Sequence, residues 1–426
     1  MLGFADGSAE MRALLGNKGA NLAEMVHVLG EDRVPGGFTI TTAACIAYRE
    51  GGEMPDGLEA QIEEALKALE SESGRRLGDP VDPLLVSVRS GAPVSMPGML
   101  DSVLNLGLNE AAVEGLAERS GDAHMAWDSR RRLIQMFSEV VRGVDAMAFE
   151  DALVEARHVS GVEVDSDLDQ AALKALAGRY LEIFRQQTGE DFPEDPHTQL
   201  VQAVRAVFDS WDNDRAVTYR HLNGIADELG TAVTVQRMVF GNMGDHSGSG
   251  VAFTRDPTTG AAEPLGDFLL NAQGEDVVAG IRNTEDLDDL QRRMPEMHAE
   301  LISSLAKLEQ HYRDIQDVEF TIEDGRLYIL QTRSAKRHAQ AAVRFASDAV
   351  AEGMITREEA LLAIKPETLT ALLHPAFDPD VEFEELDRGV PASPGAAQGA
   401  IALSAREATD RAADGEDVIL VRMFTS

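Results

Sequence analysis

Three groups of residues in this chain have types and spacings suited to chemistry. The first is Arg89, in VSVRSGAPVSMPGMLDSVLNLGL (Val86–Leu108). Its planar fork donates two hydrogen bonds at once and suits phosphate. The small residues after it (Ser90, Gly91, Ser95, Pro97, Gly98) let a backbone approach a ligand and offer donors to anionic oxygens. The second is Lys18, between Gly16 and Gly19 in LLGNKGANLAEMVHVLG (Leu14–Gly30), just before a helix. There the unpaired N–H groups and the positive helix end favour an anion. The third is DVEFTIEDGRLYILQTR (Asp317–Arg333), which reads as a β-hairpin with an Asp-Gly turn. With Glu323, Asp324 and Gly325 as a three-residue turn, Ile322 faces Arg326 and Asp317 stands opposite Gln331, with Glu319 on the same face. Two carboxylates and an amide oxygen converging there make a hard-oxygen site fit for Mg²⁺ holding a triphosphate. Each group also has a plainer reading: a solvated arginine in a surface turn, an ordinary surface lysine, and the polar face of an edge hairpin.

These side chains need elements to carry them. Leu84–Val88 reads as a buried apolar strand that delivers Arg89 into a loop. After Lys18, Leu22, Met25, Val26 and Leu29 recur at spacings of three and four, giving a helix with one apolar face. Val34–Cys45 reads as a Pro-Gly-Gly turn, a strand and a helix that Thr41 or Thr42 can cap. Pro55–Arg76 reads as an acidic outer helix. From Asn109 to about Phe192 the pattern is almost wholly helical, a subdomain inserted into an α/β domain. It carries Arg130, Arg131 and Arg132, read as partners of nearby carboxylates, with reach to a nucleotide phosphate as the alternative. Helices at Gln199–Phe208 and in WDNDRAVTYRHLNGI follow. Strands return at Ala232–Gly241, Gly248–Pro257 and Phe268–Gly280. The first alternates poorly, as a strand buried on both faces does. The loop GNMGDHSGSG between the first two reads as a phosphate cover or a flexible hairpin. A helical linker follows Ala335, with Thr356 and Glu359 placed for a capping box. At Val390 a new domain begins with PASPGAAQGAIAL, and VILVRMFTS (Val418–Ser426) reads as one of its strands. Some forty residues are too few for a core of their own, so that domain is expected to be incomplete.

The chain has 426 residues, 44% of them apolar, enough for two to four folded domains. The net charge is −36, with 74 acidic residues against 38 basic ones, only six of them lysines. Such a field repels nucleic acid and anionic membranes. A polyanion site must therefore concentrate its own cations and metal, and Lys18 and Arg89 stand out. A single cysteine, Cys45, excludes an intramolecular disulfide and a multi-cysteine zinc site. No apolar run suits a membrane span and the N-terminus does not read as a signal peptide, so the expected compartment is the cytoplasm.

At this point the residues resemble the N-terminal part of the pyruvate phosphate dikinase family. The matching stretches are LLGNKGANLAEM, VPGGFTIT, VSVRSGAPVSMPGMLDSVLNLGL, VQRMVFGNMG, GSGVAFTRDPTTG, NAQGEDVVAGIR, QDVEFTIEDGRLYILQTR and PASPGAAQG, in family order. The resemblance implies an ATP-grasp fold of α/β (α+β) class with an inserted helical subdomain, then a helical linker and an incomplete swivelling phosphohistidine domain. The corresponding segments are 1–108 and 198–340 for ATP-grasp, 109–197 for the insertion, 341–388 for the linker and 389–426 for the last domain. It further implies MgATP contacted by the catalytic pair Lys18 and Arg89, with Asp317, Glu319 and Gln331 at the metal and Arg333 supporting the cleft. Ser95, Met96, Pro97, Gly98 and Met99 would close over the phosphates, as would Gly248. Glu275 would lie near the nucleotide, and Gln236, Met238 and Val239 would line its site.

The family reaction converts ATP, phosphate and pyruvate to AMP, diphosphate and phosphoenolpyruvate through a phosphohistidine. The histidine motif and the pyruvate-binding barrel are not in this sequence. The chain is thus expected to bind MgATP and to need those two domains, from a longer protein, to complete the cycle. A homodimer through regions outside it is compatible with that picture. Two alternatives stand beside it: a phosphoenolpyruvate synthase-like dikinase, and a stand-alone ATP-binding regulatory protein.

Overall fold

A computed structural model describes residues 1–96, 98–274, 277, 284–372 and 396–421. The chain forms two compact units, Met1–Thr254 with Glu263–Ala335, and Arg255–Ala262 with Lys336–Ser426. The first unit mixes helices with two five-stranded antiparallel sheets. In spatial order the first sheet runs β1 (Leu2–Gly3), β2 (Gly37–Ile40), β7 (Ala232–Arg237), β5 (Val86–Gly91) and β6 (Ser102–Leu106). A separate parallel pair is β3 (Arg76–Leu77) and β4 (Pro83–Leu84). The second sheet runs β10 (Glu285–Asp286), β9 (Leu265–Leu270), β8 (Gly248–Phe253), β11 (Gln316–Glu323) and β12 (Arg326–Ser334).

Alternation explains the two faces of the first sheet. Val233 and Val235 of β7, Val86 and Val88 of β5, and Phe38 and Ile40 of β2 all enter one apolar core. The same core takes residues of α2 (Thr42–Gly51), α3 (Leu58–Ser73), α4 (Glu110–Ser120), α5 (Ala123–Arg142), α6 (Ala146–Ser160), α7 (Gln170–Thr188) and α8 (Pro196–Asp209). The residues between them leave the opposite face. They include Thr39, Thr234 and Arg89, direct partners across three strands, with Ser102 opposite Arg89. β7 is buried on both faces, as expected, with Val233 and Val235 on one and Thr234 and Gln236 on the other.

Helix α1 (Arg12–Leu29) joins the two sheets. It is broken at Gly16, whose φ is +68° and whose Cβ position would fall 1.6 Å from the Gly91 carbonyl oxygen. Only glycine fits there. Asn17 N–H donates to the Ala92 carbonyl at 2.9 Å. Farther along, Leu22, Met25 and Val26 enter a second core with Val318, Phe320, Ile322, Leu327 and Ile329 of the hairpin. Leu301, Leu305 and Leu308 close it.

Several expectations need correction. The strand carrying Arg89 extends through Ser90 and Gly91, and a second strand, β6, follows the loop. The strand expected over Phe268–Gly280 ends at Leu270, with Gly274 and Val277 helical. Neither Thr41 nor Thr42 caps α2 with its side chain; the Thr42 hydroxyl donates to the Ala13 carbonyl instead. Arg130, Arg131 and Arg132 pair with Glu194, Asp128 and Asp128, the nearby carboxylates expected as their partners, with Arg130 and Arg131 buried.

In the second unit, described by itself, Thr356 and Glu359 form the capping box. β13 (Ala400–Ala402) and β14 (Val418–Leu420) pair in parallel. The rest of the strand expected to Ser426, and the expected start of the domain at Val390, lie outside the described residues.

Candidate nucleotide site

The hairpin places its polar groups through a bulge. Its turn has two residues, Asp324 and Gly325, with φ of +48° and +71°, so Glu323 rather than Ile322 faces Arg326. The ladder then slips between Glu319 and Phe320, leaving Leu330 unpaired. That extra residue turns Gln331 onto the face of Glu319. Glu319 pairs directly with Gln331, and Asp317 with Arg333 rather than with Gln331. Side chains of Asp317, Glu319, Gln331 and Arg333 thus share one face, opposite the apolar residues.

Asp317 is 7% exposed, and its two oxygens differ. Oδ2 accepts from Arg333 Nε at 2.8 Å and Nη2 at 2.7 Å, while Oδ1 is buried without a hydrogen-bond partner among the described residues. The Glu319 carboxylate makes no hydrogen bond or ion pair among the described residues. An orphaned buried carboxylate oxygen, a free carboxylate and an amide oxygen on one rigid face fit a hard divalent cation that keeps other ligands from phosphate or water.

Lys18 reports how near the two sheets' charged groups lie. It is partly buried within α1, not before it as expected. Desolvation lowers its ammonium to about 7; the Arg89 charge pushes the same way and the Glu319 charge opposes them. A cation from the first sheet and an anion from the second therefore act on one lysine. Lys18 and Arg89 make no hydrogen bond or ion pair among the described residues, so both are available to an anion.

The other candidate residues fall in several places. Ser95 and Gly98 are exposed, whereas Met96 is buried beside Trp211 and Ala216, with Met99 packed against that cluster. Arg215 Nε donates to the Met99 carbonyl at 3.2 Å. Pro97 and Glu275 lie outside the described residues. Gln236 is buried on the polar face, its amide donating to the Pro35 carbonyl at 3.2 Å. Met238 and Val239 follow β7 and are partly and fully buried. Gly248 has a packing reason: a Cβ there would lie 2.3 Å from the Phe268 ring, and one at Gly250 2.5 Å from Phe320. Ser249 between them points to the polar face, its Oγ 3.0 Å from Thr321 Oγ1.

Sequence reasoning missed Ser249, Thr321, Thr39 and Thr234. Their signal was present as small hydroxyl residues in strands whose neighbours are glycine or large apolar groups.

Among the described residues no helix is long and apolar enough to cross a membrane. The chain matches the family described as "Pyruvate phosphate dikinase, AMP/ATP-binding domain" over residues 49–299 and 285–354. It is 51% identical to "Pyruvate, phosphate dikinase" of Rhizobium meliloti (strain 1021), over 100% of this chain and 48% of the relative. It is 50% identical to the protein of that name from Clostridium symbiosum, over 99% and 49%. To "Pyruvate, phosphate dikinase 1, chloroplastic" of Arabidopsis thaliana it is 49% identical, over 100% and 44%. The chain spans about half the length of the curated relatives it matches. With matches of this extent, the chain belongs to the pyruvate phosphate dikinase family, in the part that contains the AMP/ATP-binding domain.

Proposed function

We propose that the first unit is an ATP-grasp-type module that binds MgATP for pyruvate phosphate dikinase. The observation that carries the reading is the shared face of Asp317, Glu319 and Gln331, with a buried carboxylate oxygen left unbonded among the described residues, on a hairpin tied to the helix of Lys18. Lys18 and Arg89 would grip the phosphates, Arg89 by its fork and Lys18 as a point charge. Asp317, Glu319 and Gln331 would hold Mg²⁺, and Arg333 would keep Asp317 oriented through Oδ2. When bound, the metal would neutralise phosphate charge and orient the transferring group. The protein's own part is positioning and charge complementarity in a partly desolvated site. Gln236, Met238, Val239, Ser95, Met96, Pro97, Gly98, Met99, Gly248 and Glu275 are assigned to the nucleotide's surroundings on the resemblance.

In the longer protein, residues 109–197 would be a helical insertion, 341–388 a linker and 389–426 the start of the phosphohistidine domain. That domain and a pyruvate-binding barrel would complete the conversion of ATP, phosphate and pyruvate to AMP, diphosphate and phosphoenolpyruvate. The test mixes this chain with a separately made histidine domain, phosphate and ATP labelled at the β-phosphate. Label on histidine together with AMP and diphosphate supports the dikinase reading. Binding without either product supports an ATP-binding regulatory protein instead.

A further inference from the structure

The polar face of the first sheet carries two hydroxyls with nothing to bond. Thr39 and Thr234 are 1% and 0% exposed, and neither Oγ1 has a hydrogen-bond partner among the described residues. The two residues are direct partners across β2 and β7, so their side chains leave one face at cross-strand spacing. Thr234 is also the direct partner of Arg89 across β7 and β5. The Arg89 guanidinium has no hydrogen bond or ion pair among the described residues. Above Thr39 lies Gly19, where a Cβ would come within 2.7 Å of Thr39 Oγ1, so α1 seals that end.

Nothing about the strand itself asks for hydroxyls here. Valine has the same branched shape, suits a strand equally, and already occupies positions 233 and 235. A buried hydroxyl left unbonded costs free energy that valine would not. Water satisfies such groups where two to four polar partners converge. Two threonines side by side on one face, with Arg89 in register beside one of them, would supply three.

We propose that Thr39 and Thr234 are a positioning pair for Arg89: their hydroxyls hold one buried water that accepts a hydrogen bond from its guanidinium and fixes the fork toward the phosphate. The water accepts from Arg89 and from one threonine, and donates to the other. This deepens the reading of the cleft as a MgATP site and rests on it.

The test uses the full chain and the variants Thr39→Val, Thr234→Val and Thr234→Ser, each followed by thermal unfolding and by calorimetric titration with MgATP. Both valine variants are expected to fold and to unfold close to the wild-type temperature, since the branched shape is kept. Both are expected to bind MgATP about tenfold more weakly, the scale of one hydrogen bond to a charged group. Thr234→Ser, which keeps the hydroxyl, is expected to restore affinity to within about threefold of wild type. Wild-type affinity in both valine variants overturns the positioning pair while leaving the MgATP reading in place. So does a loss of affinity that tracks a lower unfolding temperature, or one that serine does not restore. A wild-type chain that binds no MgATP overturns the MgATP reading, and this inference with it.

Discussion

Asn21 Nδ2 donates to the Thr332 carbonyl oxygen at 3.1 Å, joining residues 311 positions apart. Asn21 lies one turn beyond Lys18 on α1, and Thr332 lies between Gln331 and Arg333 on β12. Together with the apolar packing of Leu22, Met25 and Val26, this bond ties the helix that carries the site's lysine to the strand that carries Gln331. Asn21 is 7% exposed, so the bond is shielded from competing water. The proposed site is thus held together by a contact outside it.

Arg89→Ala should leave the fold intact and weaken MgATP binding by at least about tenfold, since the guanidinium makes no hydrogen bond or ion pair among the described residues. Circular dichroism and a nucleotide titration check the two halves of that statement. A normal affinity would remove Arg89 from the phosphate site.

Glu319→Gln should lower the affinity for Mg²⁺ in the presence of ATP about tenfold or more, with little change in stability. Its carboxylate makes no hydrogen bond or ion pair among the described residues, so removing the charge breaks nothing else there. A metal titration of ATP binding reads the effect, and an unchanged curve would exclude Glu319 as a ligand.

Lys18 gives the site a pH dependence. Its ammonium is lowered from 10.5 to about 7, first by desolvation and then by Arg89, against the pull of Glu319. Between those values the unfolded chain binds a proton that the folded chain lacks, so stability rises with pH across that window. The destabilisation is complete below about 7 and gone above 10.5. Lys18→Met should therefore stabilise the chain at pH 6, the gain fading toward pH 10.5, as read by urea unfolding across that range. Binding of a polyanion favours the charged lysine, so wild-type MgATP binding near pH 8 should take up a proton. Calorimetry in buffers of different ionisation enthalpy measures that uptake, and Lys18→Met should abolish it.

Gly16→Ala should destabilise the first unit by about 2–4 kcal/mol, because the residue has a positive φ and its Cβ would collide with the Gly91 carbonyl. Urea unfolding reads the loss. Gly98→Ala has positive φ but no atom within 4 Å of its Cβ position, so it should cost no more than about 1 kcal/mol.

Much of this architecture was legible in the residues. The helices announce themselves by periodicity, and the capping box of Thr356 and Glu359 was readable too; the caps Asn109, Asp122, Asp169 and Asp195 emerge only in the structure. Asp324-Gly325 marks the hairpin. The register was not legible: a bulge at Leu330 adds one residue without any change in composition, and only cross-strand packing fixes it. β6 was hidden because Ser102 and Asn105 interrupt its apolar run. The hydroxyl row on β2 and β7 was missed because threonine is an ordinary strand residue until its neighbours' burial is known. Lys18 and Arg89 stood out by type and glycine context, but the influence of Glu319 on Lys18 depends on tertiary folding across some 300 positions.

The most direct measurement is a crystal structure of this chain grown with Mg²⁺ and a non-hydrolysable ATP analogue. The account predicts a triphosphate in contact with Arg89 and Lys18, and its metal ligated by Asp317 and Glu319. A nucleotide bound elsewhere, or one that touches the arginine while the two carboxylates remain without metal, would contradict it.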